Sequence, residues 1–146
     1  MSSPDIPDGF APHTRRSGLT DPWEPLYAMD HPDGLSLGLR AGPAHSNSRG
    51  FVHGGLISAL ADNAMGLSCG RRLSGIGGLV TVNLSVDFLG KAQCDQWLEI
   101  RATVRKAGRS LCFADALISA NGELCARASG VFKVIPGPKQ ASDAAR

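Results

Sequence analysis

Between Leu79 and Leu89 the chain alternates without a break: Val80, Val82, Leu84, Val86 and Phe88 are separated by Thr81, Asn83, Ser85 and Asp87. A period of two places successive side chains on opposite faces, so this stretch can only be a half-buried β-strand, with the even positions expected inward. Trp97 to Arg105 repeats the pattern, with Leu98, Ile100, Ala102 and Val104 inward and Glu99, Arg101, Thr103 and Arg105 outward. Lys106-Ala-Gly-Arg109 then reads as a hairpin turn into Ser110–Ser119, and Asn121-Gly122 as a turn into Glu123–Ile135. These four strands are expected to form a consecutive antiparallel meander. A weaker strand is predicted at Leu35–Ala41.

One long helix is predicted, Gly55 to Cys69, with Gly70 as its stop and Arg71 and Arg72 just beyond. At 100° per residue, Leu56, Leu60 and Ala64 line up with Ile57 and Ala61 as an apolar stripe, which should lie on the sheet. Asp62 falls elsewhere, in line with Gly55, Ala59 and Gly66, so its carboxylate is open to close approach. The expected fold class is α+β: one long helix on a curved antiparallel sheet.

At 146 residues the chain suits one domain. Prolines 4, 7, 12 and 22, set among Asp, Ser and Gly, mark residues 1–22 as an irregular N-terminal tail lying over the fold. Residues 23–136 form the expected domain and 137–146 a flexible C-terminal tail. Fifteen Lys and Arg against thirteen Asp and Glu leave a net charge of +2, too small to imply a nucleic-acid or membrane-surface partner. Cys69, Cys94, Cys112 and Cys125 contain no C-x-x-C pair and are expected as buried reduced thiols. His13, His31, His45 and His53 match no common zinc spacing, so no metal is assigned. With no basic and apolar leader and no membrane-length apolar run, a cytoplasmic location is expected.

The chemistry lies in Asn47-Ser-Arg-Gly50-Phe-Val-His53-Gly54-Gly55-Leu-Ile-Ser-Ala-Leu-Ala-Asp62. Amides at a helix start are unpaired donors at the positive end of the dipole, and without side chains Gly54 and Gly55 would let a ligand oxygen approach as in an oxyanion hole. Asp62 is the candidate base or nucleophile. Seven residues past Gly55, it lies roughly 10 Å along the axis, too far for one helix to grip one carbonyl from both sides. Two antiparallel helices related by a two-fold axis would bring Asp62 of one chain to Gly54 of the other.

The same segment resembles the hotdog-fold acyl-CoA thioesterases of the phenylacetate-degradation type, within the 4-hydroxybenzoyl-CoA thioesterase-like superfamily. Their pattern is N-x2-G-x2-H-G-G-x6-D, and every fixed position is filled. The resemblance spans about residues 35 to 135. It implies a hotdog fold and a site shared between two subunits, with Gly54 as the polarising amide and Asp62 as the acid, in a dimer often paired again into a tetramer. It also implies that Asn47 orients the carboxylate or attacking water, that Thr81 hydrogen-bonds that water, and that Arg109 and Ser110 meet the phosphates of coenzyme A. His53, at the helix start, is expected to bond backbone and fix the loop.

The expected activity is hydrolysis of a small or medium acyl-CoA, with an aryl group implied by the resemblance alone and no cofactor beyond the coenzyme A of the substrate. The rivals are a non-catalytic acyl-CoA or acyl-carrier-protein binding module and a purely structural dimer. Two decoys fall away. Gly34-Leu-Ser36-Leu-Gly38 fits a nucleophile elbow, but Gly42-Pro43 follows where a helix should begin and no acid lies between Ser36 and His53. Asp8 and His13 have the spacing of hotdog hydratases, yet Pro12 denies them a helix.

Overall fold

The computed structural model describes residues 6–138. Seven strands are found: β1 (Ala11–Pro12), β2 (Tyr27–His31), β3 (Gly34–Arg40), β4 (Ile76–Phe88), β5 (Trp97–Ala107), β6 (Leu111–Ala120) and β7 (Glu123–Pro136). A single long helix, α1 (Gly54–Arg72), lies between β3 and β4. The strands form one antiparallel sheet in the order β1-β2-β3-β5-β6-β7-β4, so the chain is α+β as expected.

The consecutive meander holds for β5, β6 and β7 but not for β4, which pairs only with β7, at the far edge. The reason lies in the crossover. Helix α1 carries the chain from β3 across the face of the sheet to that edge, and residues 89–96 bring it back so that β5 pairs with β3, Leu37 opposite Ile100. Alternation fixes the faces of a strand and not its neighbours.

Within β4 a second departure matters more. The ladder with β7 slips between Thr81 and Asn83, leaving Val82 as a bulge. An extra residue inverts the alternation beyond it. Before the bulge the odd positions face the helix: Leu79 packs on the core, and Thr81 pairs with buried Phe132. After it the even positions do: Val86 packs on the core, and Leu84 and Phe88 share its face. Val80, expected inward, is 51% exposed on the opposite face.

Helix α1 buries Leu56, Ile57, Leu60, Ala61, Ala64 and Met65 against the sheet, which is the predicted stripe. The facing positions of β6 and β7 are small, Ala114, Ala116, Ala126 and Ala128, so the helix settles close. Burial of each large aliphatic side chain contributes about 1.5–3 kcal/mol. Ser68 adds a polar tie: its hydroxyl donates to the Ala64 carbonyl at 2.6 Å and accepts from the Leu35 amide at 3.0 Å. The helix does not stop at Gly70 but runs to Arg72, since packing outweighs the cost of one glycine, about 1 kcal/mol. Arg71 and Arg72 lie in its last turn, where cations favour the dipole.

The N-terminal segment is irregular apart from two residues of β1, which pair with β2, and a short 3-10 turn at Asp21–Trp23. It lies over the fold, Phe10 meeting Trp97 edge-on at 5.1 Å. Strand β2, unpredicted, joins it to the sheet. The expected tail 137–146 lies outside the described residues except for Gly137 and Pro138, as do residues 1–5 of the N-terminal tail. All four thiols are free, and Cys69, Cys112 and Cys125 are buried. Cys94, expected buried, is only half-buried and lies 3.0 Å from the Ser46 hydroxyl. Burial, then the neighbouring Cys112, push the Cys69 thiol far up from its usual range. No described helix is long and apolar enough to cross a membrane.

Candidate active site

The loop leading into α1 is shaped by Asn47. Its Oδ1 accepts from the amides of Arg49 at 2.9 Å and Phe51 at 3.1 Å, while its own amide donates to the Phe51 carbonyl at 2.7 Å. The turn closes through Gly50, whose φ of +82° is left-handed and suits glycine. Asn47 thus spends its acceptor on the loop, and its side-chain NH2 has no partner among the described residues.

The loop delivers His53 to the helix start as N-cap. His53 Nδ1 accepts from the Gly55 amide at 2.8 Å, and the His53 amide donates to the His45 carbonyl at 2.9 Å. This is the backbone role expected of His53, with one consequence the sequence did not show. Of the two glycine amides expected to be unpaired, that of Gly55 is occupied. The Gly54 N–H has no partner among the described residues and remains a donor at the positive end of the helix. His45 explains itself here: Nδ1 accepts from the Gly42 amide at 3.0 Å, so Nε2 carries the proton and donates to the Trp23 carbonyl at 2.9 Å.

Two turns further along α1, the Thr81 hydroxyl donates to Asp62 Oδ1 at 2.7 Å. The bulge at Val82 is what allows this pairing, by keeping Thr81 on the helix face. The pair opens on a groove of about 850 Å³. Gly66 and Gly70 of α1, Gly77 and Gly78 of β4, and the buried ring of Phe132 form its walls. It is closed on one side by residues 13–17 of the N-terminal segment. A Cβ on Gly78 would meet nothing within 4 Å, whereas one on Gly77 would lie 2.7 Å from the Pro136 carbonyl oxygen, so Gly77 holds β4 close to β7 and Gly78 borders open space.

The protomer therefore joins Asp62 to Thr81 and leaves the other candidates elsewhere. Asn47, His53, Gly54 and Gly55 lie at the helix start, where the Phe88 ring sits against Gly54, 3.1 Å from where a Cβ would be. Arg109 and Ser110 lie exposed in the β5–β6 turn, outside the groove; only the Ser110 carbonyl is engaged, accepting from Val134 at 2.8 Å. Ser36 is buried within β3, with no room for an elbow. His13, Arg15 and Arg71 line the groove although sequence reasoning passed over them in that role; the one signal was a basic run in an otherwise proline-rich segment. Burial lowers the His13 pKa; Glu24 and a hydrogen bond to the Arg15 backbone oppose this, and the charges of Arg71 and Arg15 add to it. A smaller hollow of about 350 Å³ lies on the opposite face of the sheet, where Arg105 pairs with Asp115 and Arg127 with Asp87.

The chain is similar to known proteins in sequence and in fold. The model of the thioesterase superfamily matches residues 49–126, more than half of the chain and the whole of the helix. A Pseudomonas aeruginosa protein provisionally named an esterase is 38% identical over 129 residues, 88% of this chain and 96% of its own. Human acyl-coenzyme A thioesterase 13 is 36% identical over 87 residues, which cover 57% of this chain and 60% of that one. The crystal structure of a hypothetical thioesterase protein from Streptococcus pneumoniae with coenzyme A superposes with a TM-score of 0.71 at 24% identity, covering 79% of this chain and 92% of that one. One helix on this antiparallel sheet is the hotdog fold, and the chain belongs to the thioesterase superfamily of hydrolases.

Proposed function

We propose that this chain hydrolyses a small or medium acyl-CoA, aryl groups included, at a site that two copies complete together. The observation that carries this reading is the Thr81–Asp62 hydrogen bond in a glycine-walled groove, with a free amide at the start of the same helix. A carboxylate held by a hydroxyl and open to a cavity suits a base or nucleophile. A bare amide at a helix start suits a developing oxyanion, where one such donor contributes about 2.7–4 kcal/mol. In support of coenzyme A as the carrier, the pneumococcal protein binds it and the human relative is named for its thioesters.

Strand β4 supports the dimer. It is an edge strand of thirteen residues with one side unpaired. Along it Val82 is 53% exposed, Leu84 37% and Phe88 54%, an apolar edge that pairing with a second copy would cover. The register follows from the two contacts already described. Thr81 touches Asp62, and Phe88 lies against Gly54. An antiparallel ladder centred between Leu84 and Ser85 sets Thr81 across from the partner's Phe88, and hence Asp62 across from the partner's Gly54. The exposed Leu111, Phe113 and Leu117 on the opposite face of the sheet support a further pairing of dimers into a tetramer.

In this reading the thioester oxygen accepts from the partner's Gly54 amide. The carboxylate of Asp62 takes a proton from water as that water attacks the carbonyl carbon, or attacks the carbon itself to give an anhydride that water then opens. Collapse of the tetrahedral adduct expels the thiolate, leaving free acid and coenzyme A. The test is steady-state hydrolysis over an acyl-CoA panel. Asp62→Asn should lower kcat by roughly 100-fold or more while coenzyme A still binds; wild-type kcat on the best substrate would remove Asp62 from the chemistry.

A further inference from the structure

We propose that Arg15, which lines the same groove as the Thr81–Asp62 pair, forms with Arg71 an anion subsite that holds the negatively charged end of the substrate. This deepens the hydrolysis reading and rests on it. The segment that carries Arg15 starts from a bond to the chain ahead of β2, the His13 amide donating to the Leu26 carbonyl at 2.8 Å, and ends in a local turn, the Asp21 amide donating to the Ser17 carbonyl at 2.9 Å; between them Arg16 pairs with Glu24. Residues 13–17 therefore stand as a strap along the groove, and three arginines reach its lining: Arg15, Arg16 and Arg71.

Their charges are not equally committed. Arg16 lies 3.3 Å from Glu24, and Arg71 is bonded to Asp30 across an exposed pair. Arg15 has no ion pair among the described residues, and the only carboxylate lining the groove is Asp62. A cavity lined by surplus positive charge as well as a reacting carboxylate selects a ligand that carries an anion away from its reacting carbon. Arg71 lies nine residues past Asp62 on α1, roughly 13 Å further along the axis and half a turn round it, and both residues line the groove. Two parts of a thioester carry such an anion: the phosphates of the carrier, or a carboxylate ending the acyl chain. The glycine walls leave room for either.

Four thioesters separate the sources: octanoyl and suberyl groups, each on coenzyme A and on the phosphate-free thiol N-acetylcysteamine. The quantity read is the ratio of kcat/KM between anionic and neutral members, in the wild type and in Arg15→Ala. The expected result is a fall of roughly 10-fold in one ratio, carried by KM and partly restored in Arg15→Lys. A fall on the carrier axis assigns the phosphates, and a fall on the acyl axis assigns the carboxylate. Equal ratios in wild type and variant on both axes overturn the subsite. Calorimetric binding of coenzyme A and of free suberate to wild type and Arg15→Ala reads the subsite without turnover: unchanged affinity for both again overturns it. Loss of the hydrolysis reading would show instead as an active Asp62→Asn enzyme on the same panel.

Discussion

Replacing Thr81 by valine keeps the volume of the side chain and removes the one hydroxyl that donates to Asp62 Oδ1 at 2.7 Å. A hydrogen bond to a charged group contributes about 1.5–3 kcal/mol, and the lower figure applies here because Thr81 is exposed and Asp62 only half-buried. If that bond aims the carboxylate in the transition state, kcat falls by roughly tenfold, since about 1.4 kcal/mol is a factor of ten in rate. The assay is thiol release from the best acyl-CoA, run on Thr81→Val, Asp62→Asn and the double variant. A residue that acts only through Asp62 has nothing left to position once the carboxylate is gone, so the double variant should match Asp62→Asn. The melting temperature should fall by no more than a few degrees. Wild-type kcat in Thr81→Val, or losses that multiply in the double variant, would refute the positioning role.

The remaining predictions concern the cap, the edge and pH. His53→Ala removes the acceptor that holds the Gly55 amide, costs about 0.5–2 kcal/mol of stability, and should lower the melting temperature in calorimetry by roughly 2–6 °C for a chain of this size. Leu84→Lys sets a charge on the β4 edge; sedimentation should show protomers in place of dimers, and hydrolysis should fall with them. Burial and then Arg101 hold His31 below its ordinary 6.5, and burial does the same to His13. The unfolded chain therefore takes up protons first as pH falls, so stability is highest above 6.5 and declines as pH drops through that value toward the folded pKa. Melting curves from about pH 7.5 to pH 5 should fall in the wild type and fall less in His31→Gln.

What was legible follows the range of the forces involved. The helix, its apolar stripe and the turn residues are local, and Leu56, Leu60 and Ala64 lie where the 3.6-residue period set them. The motif from Asn47 to Asp62 is likewise confined to one loop and one helix. The position of β4 was not legible, because alternation names two faces and no neighbour. Neither was the slip at Val82, whose sequence alternates without interruption while its hydrogen bonds do not. The occupied amide of Gly55 escaped notice because His53 reaches it with a ring nitrogen, a contact that depends on one rotamer. The N-terminal tail was expected to lie over the fold, but nothing in its sequence set residues 13–17 beside the groove; the bond from His13 to Leu26, the turn at Ser17–Asp21 and the Arg16–Glu24 pair shape it there.

The bulge in β4 also sets which changes of length this chain tolerates. Deleting Val82 alone would restore a regular ladder and leave Thr81 opposite Phe132 and Asn83 opposite Val131, whereas deleting a residue further along would turn over the residues between it and position 82. Loss of Ser85, for example, would move Leu84 from opposite Gly130 to opposite Ser129 and so off the helix face, while Thr81, Val86 and Phe88 kept their partners. Point substitutions at Val82 leave that count intact. Descendants of this sequence should therefore vary freely at position 82, both in what stands there and in whether anything does, and lose residues from the paired part of the strand far less readily.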